Sequence, residues 1–185
     1  MPLQYCRYYN SLANESTAFG PKWRGSYDRR LAVASGEIIA WREDGSRLVF
    51  TWSGSDWVTD ADVHRRLETI ASGFQFVDEG DILEVYDSNG KLTSISTRDG
   101  KTQTLSYIGA GQLTSVTDPA GRALSFAYDG NGRVASLVDP AGEVTLYEYN
   151  ASGVLQSVIF PDNTPGSTTD NLRREYHDED VNFPQ

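Results

Sequence analysis

With 185 residues the chain is long enough for one domain with a real core. Its net charge of −10 is uneven: residues 1–74 hold nine acidic and nine basic side chains, whereas residues 75–185 hold seventeen acidic against seven basic. The acidic half argues against nucleic acid, heparin or anionic lipid as partners. No apolar run approaches the roughly 20 residues of a spanning helix, so no membrane insertion is expected. The single cysteine, Cys6, excludes an intrachain disulfide and a cysteine metal cluster.

Seventeen glycines, 11% aromatics and few helix-favouring blocks predict an all-β fold with many turns. In chain order, residues 1–58 form an N-terminal β segment that leads into the rest. MPLQYCRYYN has no apolar signal-peptide core, so nothing marks Sec-type export. Leu3 to Tyr9 suit a strand, and EIIAWRE and SRLVFTW read as further strands punctuated by Ser35-Gly36, Asp44-Gly45 and Ser53-Gly54. Trp23, Trp41, Trp52 and Trp57 lie in or beside these strands. They read first as core anchors, and second as an aromatic binding surface for carbohydrate. Residues 59–85 are a transition. Within it DADVHRRLETIA (60–71) fits either a short helix capped by Asp60 or Asp62, or a strand.

Residues 86–160 carry a repeat. YDSNGKLTSISTRDGKTQTLS, YIGAGQLTSVTDPAGRALSFA, YDGNGRVASLVDPAGEVTLYE and YNASGVLQSVIF are copies of one 21-residue unit, the last incomplete. Tyr86, Tyr107, Tyr128 and Tyr149 stand in one column, and Gly90, Gly111, Gly132 and Gly153 in a second. Ser94, Ser115, Ser136 and Ser157 form a third. Gly100, Gly121 and Gly142 close a fourth, in DG or DPAG turns. Asn89-Gly90 and Asn131-Gly132 suit type I′ hairpin turns, with positive φ at both residues. Asp118-Pro119-Ala120-Gly121 and Asp139-Pro140-Ala141-Gly142 suit a second kind, in which Pro presets φ and Gly ends the turn. Each unit is therefore a hairpin, and the array an antiparallel meander. In ALSFAY, Leu124, Phe126 and Tyr128 share one face and Ala123, Ser125 and Ala127 the other. QLTSVT places a hydroxyl on both faces, so mixed faces are expected there. Residues 161–185 follow as a Pro/Gly/Ser/Thr loop and an acidic tail. LRREY is a last strand, and Tyr176-His177-Asp178 echoes the Tyr-Asp start of a unit.

Tyr-Asp-x-x-Gly followed by a DPxG turn at this period resembles the YD repeats of the Rhs family, bacterial polymorphic-toxin proteins related to insecticidal toxin complexes and teneurins. The N-terminus is similar too: Arg7, Tyr9-Asn10-Ser11, Gly20-Pro21, Trp23 and Tyr27-Asp28 match the RxYNS and GxGWxxxYD segments that precede the repeats. Lys22 and Gly25 depart from the usual Gly and His. The resemblance implies a segment of a β-shell that encloses a toxin domain. It implies a chain held in the bacterial cytoplasm before delivery, then secreted or injected as part of a larger assembly. Implied partners are other shell segments or a second copy, through exposed strand edges, and the toxin domain or its chaperone or immunity protein. In the family a DPxG element near the end of the shell serves self-cleavage. Asp118 and Asp139 share those letters but recur as repeat turns, and read as structural.

No catalytic set is recognisable. His64 and His177 fit no metal spacing, and Cys6 beside aromatics reads as packing rather than as a nucleophile with His64 as its base. Asp87, Asn89, Asp118, Asp129 and Asp139 are explained by turns, without calcium. The expected chain is non-catalytic and uses no cofactor. Two functions follow: a structural shell segment, or a small β module that binds carbohydrate or protein.

Overall fold

Seven five-residue turns of one geometry set the repeat region, in a computed structural model that describes residues 2–13, 15–109, 111–162 and 170–177. They begin at Asp87, Thr97, Ile108, Asp118, Asp129, Asp139 and Asn150. In each, the first N–H donates to the fifth carbonyl, and the glycine at the fourth position donates back to the first carbonyl, at 2.7–3.0 Å. Every such glycine has φ between +78° and +89°. This is a type I turn closed by a left-handed glycine. Asn89 and Asn131 do not have positive φ; among the described residues outside glycine, only Lys22 and Asp81 do. The expected type I′ turns are therefore corrected, and the NG and DPAG turns are one kind. Where the first residue is Asp or Asn, its Oδ1 accepts from two N–H groups, as Asp118 does from Ala120 (2.9 Å) and Arg122 (3.0 Å). That satisfies the turn without a metal ion.

The strands run in chain order. The lead-in contains β1 (Arg7–Tyr9), β2 (Ser16–Thr17), β3 (Gly20–Pro21), β4 (Trp23–Gly25), β5 (Arg30–Ala34), β6 (Glu37–Trp41), β7 (Arg47–Trp52) and β8 (Trp57–Val58). Then follow β9 (Arg66–Ile70), β10 (Gly73–Val77), β11 (Leu83–Asp87), β12 (Leu92–Ser96), β13 (Thr102–Tyr107), β14 (Leu113–Thr117) and β15 (Ala123–Tyr128). The series ends with β16 (Val134–Val138), β17 (Val144–Tyr149), β18 (Leu155–Ile159) and β19 (Arg173–Glu175). Strands β9 to β19 form one eleven-stranded antiparallel meander, open at both ends. Strands β5 to β8 form a separate four-stranded sheet, and β1 pairs with β4. The 60–71 stretch holds no helix. Val63 N–H closes a turn on the Asp60 carbonyl at 3.0 Å, and Arg66–Ile70 is β9. Alternation of Leu67 with exposed neighbours, and Gly73 three residues past the strand at the start of β10, favour pairing with β10.

A β-bulge recurs in every unit. The register slips beside Tyr86, Tyr107, Tyr128 and Tyr149, so that Tyr86 faces Leu92 while Val85 faces Ser94. Thr93, Thr114, Ala135 and Gln156 are the extra residues. The bulge explains an apolar spacing of three: Leu92 and Ile95 both point inward, as do Val134 and Leu137. Mixed faces were expected at QLTSVT; instead the large apolar strand residues of the first two units gather on one face, while in the third Val138, Val144 and Leu146 lie on the other. Val116, Leu124 and Phe126 are buried, while Ser125 and Ala127 are exposed. That exposed face is rich in hydroxyls, which keeps a wide sheet soluble on one side.

The lead-in covers the apolar face. Phe19, Trp23, Tyr27, Leu31, Ile38 and Phe50 share one core with Phe76, Tyr86, Leu105, Phe126 and Tyr147. Ring contacts tie the two parts: Tyr5 to Phe126 at 5.2 Å, Phe19 to Tyr147 at 5.2 Å, Phe50 to Phe76 at 6.1 Å. Each fully buried aromatic or aliphatic side chain stabilises by about 1.5–3 kcal/mol, so this seam outweighs any single polar contact.

The register persists past Phe160, where the sequence suggested that it breaks. Phe160 N–H donates to the Leu172 carbonyl at 2.9 Å, as Asp139 does to Glu143 at 3.0 Å. Leu172 thus stands where Glu143 stands in the unit before, and β19 takes the place of the next unit's first strand. Glu175 faces Ser157 as Leu146 faces Ser136. Tyr176 therefore belongs to the column of Leu105, Phe126 and Tyr147, not to the Tyr-Asp column. That column falls on Asp178, which lies outside the described residues.

Candidate functional site

The repeat tyrosines have one task in common. The Tyr107, Tyr128 and Tyr149 hydroxyls donate to the carbonyls of Leu92, Leu113 and Val134, each at 2.8 Å. Each acceptor lies fifteen residues earlier, two positions after the preceding turn glycine. The tyrosine thus clips its own unit to the one before. Burial raises the phenol pKa of all three, that of Tyr128 to about 12, so the hydroxyls stay protonated donors. A cation flanks two of the rings: Lys91 Nζ lies 5.0 Å from the Tyr107 centroid and the Arg133 guanidinium 4.5 Å from that of Tyr149.

Tyr86 differs, because no unit precedes it. Its hydroxyl donates to Glu84 Oε2 at 2.5 Å. Glu84 is fully buried and receives two bonds from Arg42, both at 2.7 Å, and one from Arg29. Arg29 also meets Glu43 at 2.8 Å. Burial alone would push the Glu84 carboxyl up; the hydrogen bonds and charge of Arg42, with Arg29 beside it, outweigh this and hold it below its ordinary value. The knot joins β11 of the large sheet to the lead-in on either side of β5 and β6. Sequence reading did not single it out. The available signal is an acidic residue at an inward-facing strand position, two residues before Tyr86.

Glycine columns mark close approaches as well as turns. Leu31 N–H donates to the Gly90 carbonyl at 2.8 Å, and a Cβ on Gly90 would stand 2.0 Å from the Leu31 carbonyl oxygen. A Cβ on Gly20 would stand 2.3 Å from the Gly153 carbonyl oxygen. Val134 N–H donates to the Ala18 carbonyl at 2.8 Å. The lead-in therefore docks along the turns at Gly90, Gly132 and Gly153. Around Gly100, Gly121 and Gly142, on the opposite edge, the space is open.

The four tryptophans occupy three environments. Trp23 is buried between Tyr9 and Tyr176, with ring centroids 5.2 and 4.7 Å away. Trp41 carries Arg24, Arg30 and Arg47 around its ring. Trp52 and Trp57 face each other across β7 and β8 at 5.2 Å, and Trp52 is 43% exposed. Alternation along β7 puts Trp52 on the opposite face from Arg47, the partner of Trp41. Cys6, expected as packing, is exposed, and its N–H donates to Ser26 Oγ at 2.7 Å. In the DPxG turns, Arg122 binds the Asp118 carboxylate and holds its pKa below the ordinary value, so Asp118 is a turn acceptor and not a proton donor. Among the described residues no group of three or more His, Cys, Asp or Glu side chains is placed to hold a metal ion. No helix among them is long and apolar enough to cross a membrane.

The geometry is that of a repeat sheet and its lining, and comparison with known families agrees. The profile described as RHS Repeat matches three overlapping stretches, residues 86–123, 109–144 and 128–165. The profile described as Domain of unknown function (DUF6531) matches residues 1–50, the lead-in. No curated protein matches the chain. The matched repeats, the tyrosine clips that explain their signature, and the domain that precedes them place this chain in the Rhs, or YD-repeat, family.

Proposed function

We propose that the chain is a non-catalytic structural segment of an Rhs-type shell that encloses or presents a toxin cargo in bacterial competition or host targeting. The observation that carries this is the open eleven-stranded sheet, whose apolar face is already lined by the lead-in and whose two edges are strands rather than closed seams. Such a sheet is a wall element: one side is committed to structure, and the edges can continue the array. Its partners in this reading are other shell segments, the toxin domain and that domain's chaperone or immunity protein. It resides in the bacterial cytoplasm before delivery and leaves within the larger assembly.

Protease protection tests this function. The chain is assembled with a polypeptide carrying the further YD repeats and C-terminal toxin domain of an Rhs protein. Digestion of the toxin domain by trypsin is then followed with and without residues 1–185. Protection that depends on this chain supports the shell reading. Equal digestion in both samples contradicts it.

A further inference from the structure

The lead-in docks on the repeat turns at Gly90, Gly132 and Gly153, but not on the turn at Gly111. A Cβ on Gly111 would meet no lead-in atom within 4 Å, only Lys91 Nζ at 3.6 Å. The gap is a cleft of about 670 Å³, walled by the lead-in on one side and by the turns of the first two units on the other. Its volume is that of a small-molecule site. Asp28, Lys91, Tyr107, Gln112, Leu113 and Tyr128 line it.

Two charges in this lining are unpaired among the described residues. Asp28 Oδ2 accepts from the Gly25 N–H at 2.6 Å, while Oδ1 accepts from no described residue. The arginines beside it are engaged elsewhere, Arg24 by Glu15 and Arg29 by Glu43 and Glu84. Burial pushes the Asp28 carboxyl up, against the Gly25 N–H and the Arg24 charge. Its charge also raises the phenols of Tyr107 and Tyr128, which places it beside both. On the other wall Lys91 lies over the Tyr107 ring and has no acidic partner. The residue after each turn glycine is Lys91, Gln112, Arg133 or Val154. Lys91 and Arg133 flank the next tyrosine ring, whereas Gln112 Nε2 donates to the Gly132 carbonyl at 3.4 Å. Tyr128 is therefore the clip tyrosine whose ring carries no cation among the described residues.

We propose that this cleft binds a small zwitterion with an aromatic side chain, an amino acid of the phenylalanine class, with its ammonium between Asp28 and the Tyr128 ring and its carboxylate on Lys91. The two unpaired charges are opposite in sign and stand on opposite walls. A plain cation or anion leaves one of them unanswered, and a neutral ligand leaves both. An ammonium beside a carboxylate and over an open tyrosine ring gains from each. Tyr107, Leu113 and Tyr128 supply the apolar surface for the side chain. This inference does not draw on the shell-segment reading, and either can fail without the other.

The probe is L-phenylalanine, titrated into the full, isotope-labelled chain and followed by NMR chemical shifts. Saturable shifts are expected at the amides of Asp28, Lys91 and Gly111, with a dissociation constant of about 0.1–1 mM for a ligand of this size. Phenethylamine lacks the carboxylate and 3-phenylpropionate lacks the ammonium. Each should bind at least about 10-fold more weakly. Asp28→Asn keeps an acceptor for the Gly25 N–H and removes the charge. It should weaken phenylalanine by about 10-fold and leave 3-phenylpropionate unchanged. Lys91→Met should weaken phenylalanine by a similar factor and leave phenethylamine unchanged. Should Asp28→Asn fail to fold, Lys91→Met and the two analogues still decide the matter. Absence of saturable shifts at about 10 mM phenylalanine overturns the proposal. Equal binding of phenylalanine and either analogue overturns it in favour of an unselective apolar crevice. Shifts confined to other parts of the chain, or binding untouched by a folded variant of Asp28 or Lys91, overturn the site.

Discussion

Glu84→Gln tests the polar seam between lead-in and repeats. The substitution keeps the shape of the side chain and removes its charge. It leaves Arg42, whose side chain is 10% exposed, without the carboxylate that takes two of its hydrogen bonds. Breaking one side of a buried ion pair costs about 3–5 kcal/mol. Arg29 keeps Glu43 at 2.8 Å, so the low end applies, about 3 kcal/mol. At this chain length each kcal/mol moves the melting temperature by about 2–4 °C, giving a fall of about 6–12 °C. Circular dichroism melts of parent and variant at pH 7 read it directly. The pH dependence is a second readout. The Glu84 carboxyl is held below its ordinary value of 4.5 in the folded chain. Its contribution is therefore fully present above pH 4.5 and is lost as pH falls through the lower, folded value. Glu84→Gln should remove that part of the acid sensitivity, so the two melting curves converge in acid. A variant melting within about 2 °C of the parent at pH 7 would refute the reasoning.

Other consequences follow from the turns, the clips and the rings. Gly90 and Gly100 have nearly the same φ, +80° and +79°, but only Gly90 abuts backbone. Gly100→Ala should cost about 1–2 kcal/mol from the left-handed conformation, and Gly90→Ala at least about 3 kcal/mol because the Leu31 strand must also move. Urea titrations that give equal losses would contradict the docking described for the lead-in. Gly132→Val, at φ +78° and with a Cβ 3.3 Å from Gln112 Nε2, should fall between them by the same measurement. Tyr107→Phe and Tyr128→Phe should each cost about 1 kcal/mol, and Tyr86→Phe about 1.5–3 kcal/mol, since its acceptor is charged. A flat series in urea would remove the clip account. In acrylamide quenching, Trp52→Phe should abolish most of the accessible emission, whereas Trp23→Phe should leave it unchanged; the reverse order would contradict their burial.

The repeat was legible because the physics is local. A left-handed glycine at a fixed place in each turn and a tyrosine once per unit leave columns in the sequence, and Gly90, Gly111, Gly132 and Gly153 could be aligned without coordinates. The turn type was less legible: Asn89-Gly90 carries the dipeptide preference of a type I′ turn, but the five-residue closure from Asp87 to Lys91 overrides it. The apolar spacing of three in LTSV-type strands suggested mixed faces because a bulge is invisible to a period-two count. Tyr176 was misplaced by two positions for a similar reason, since its register is set by pairing with β18. The seam between Arg29, Arg42 and Glu84 joins residues up to 55 positions apart, and its one local signal is the acidic residue two positions before Tyr86. The tryptophans illustrate the same limit: composition places four of them in the lead-in, but only the sheet register separates Trp41 from Trp52.

The central claim is that the lead-in lines the repeat sheet and the two form one folding unit. Scanning calorimetry of residues 1–185 tests it most directly. A single transition, with calorimetric and van't Hoff enthalpies equal, is predicted, and Glu84→Gln should shift it as a whole. Two resolved transitions, only one of them moved by Glu84→Gln, would contradict the account and make the lead-in a separate domain.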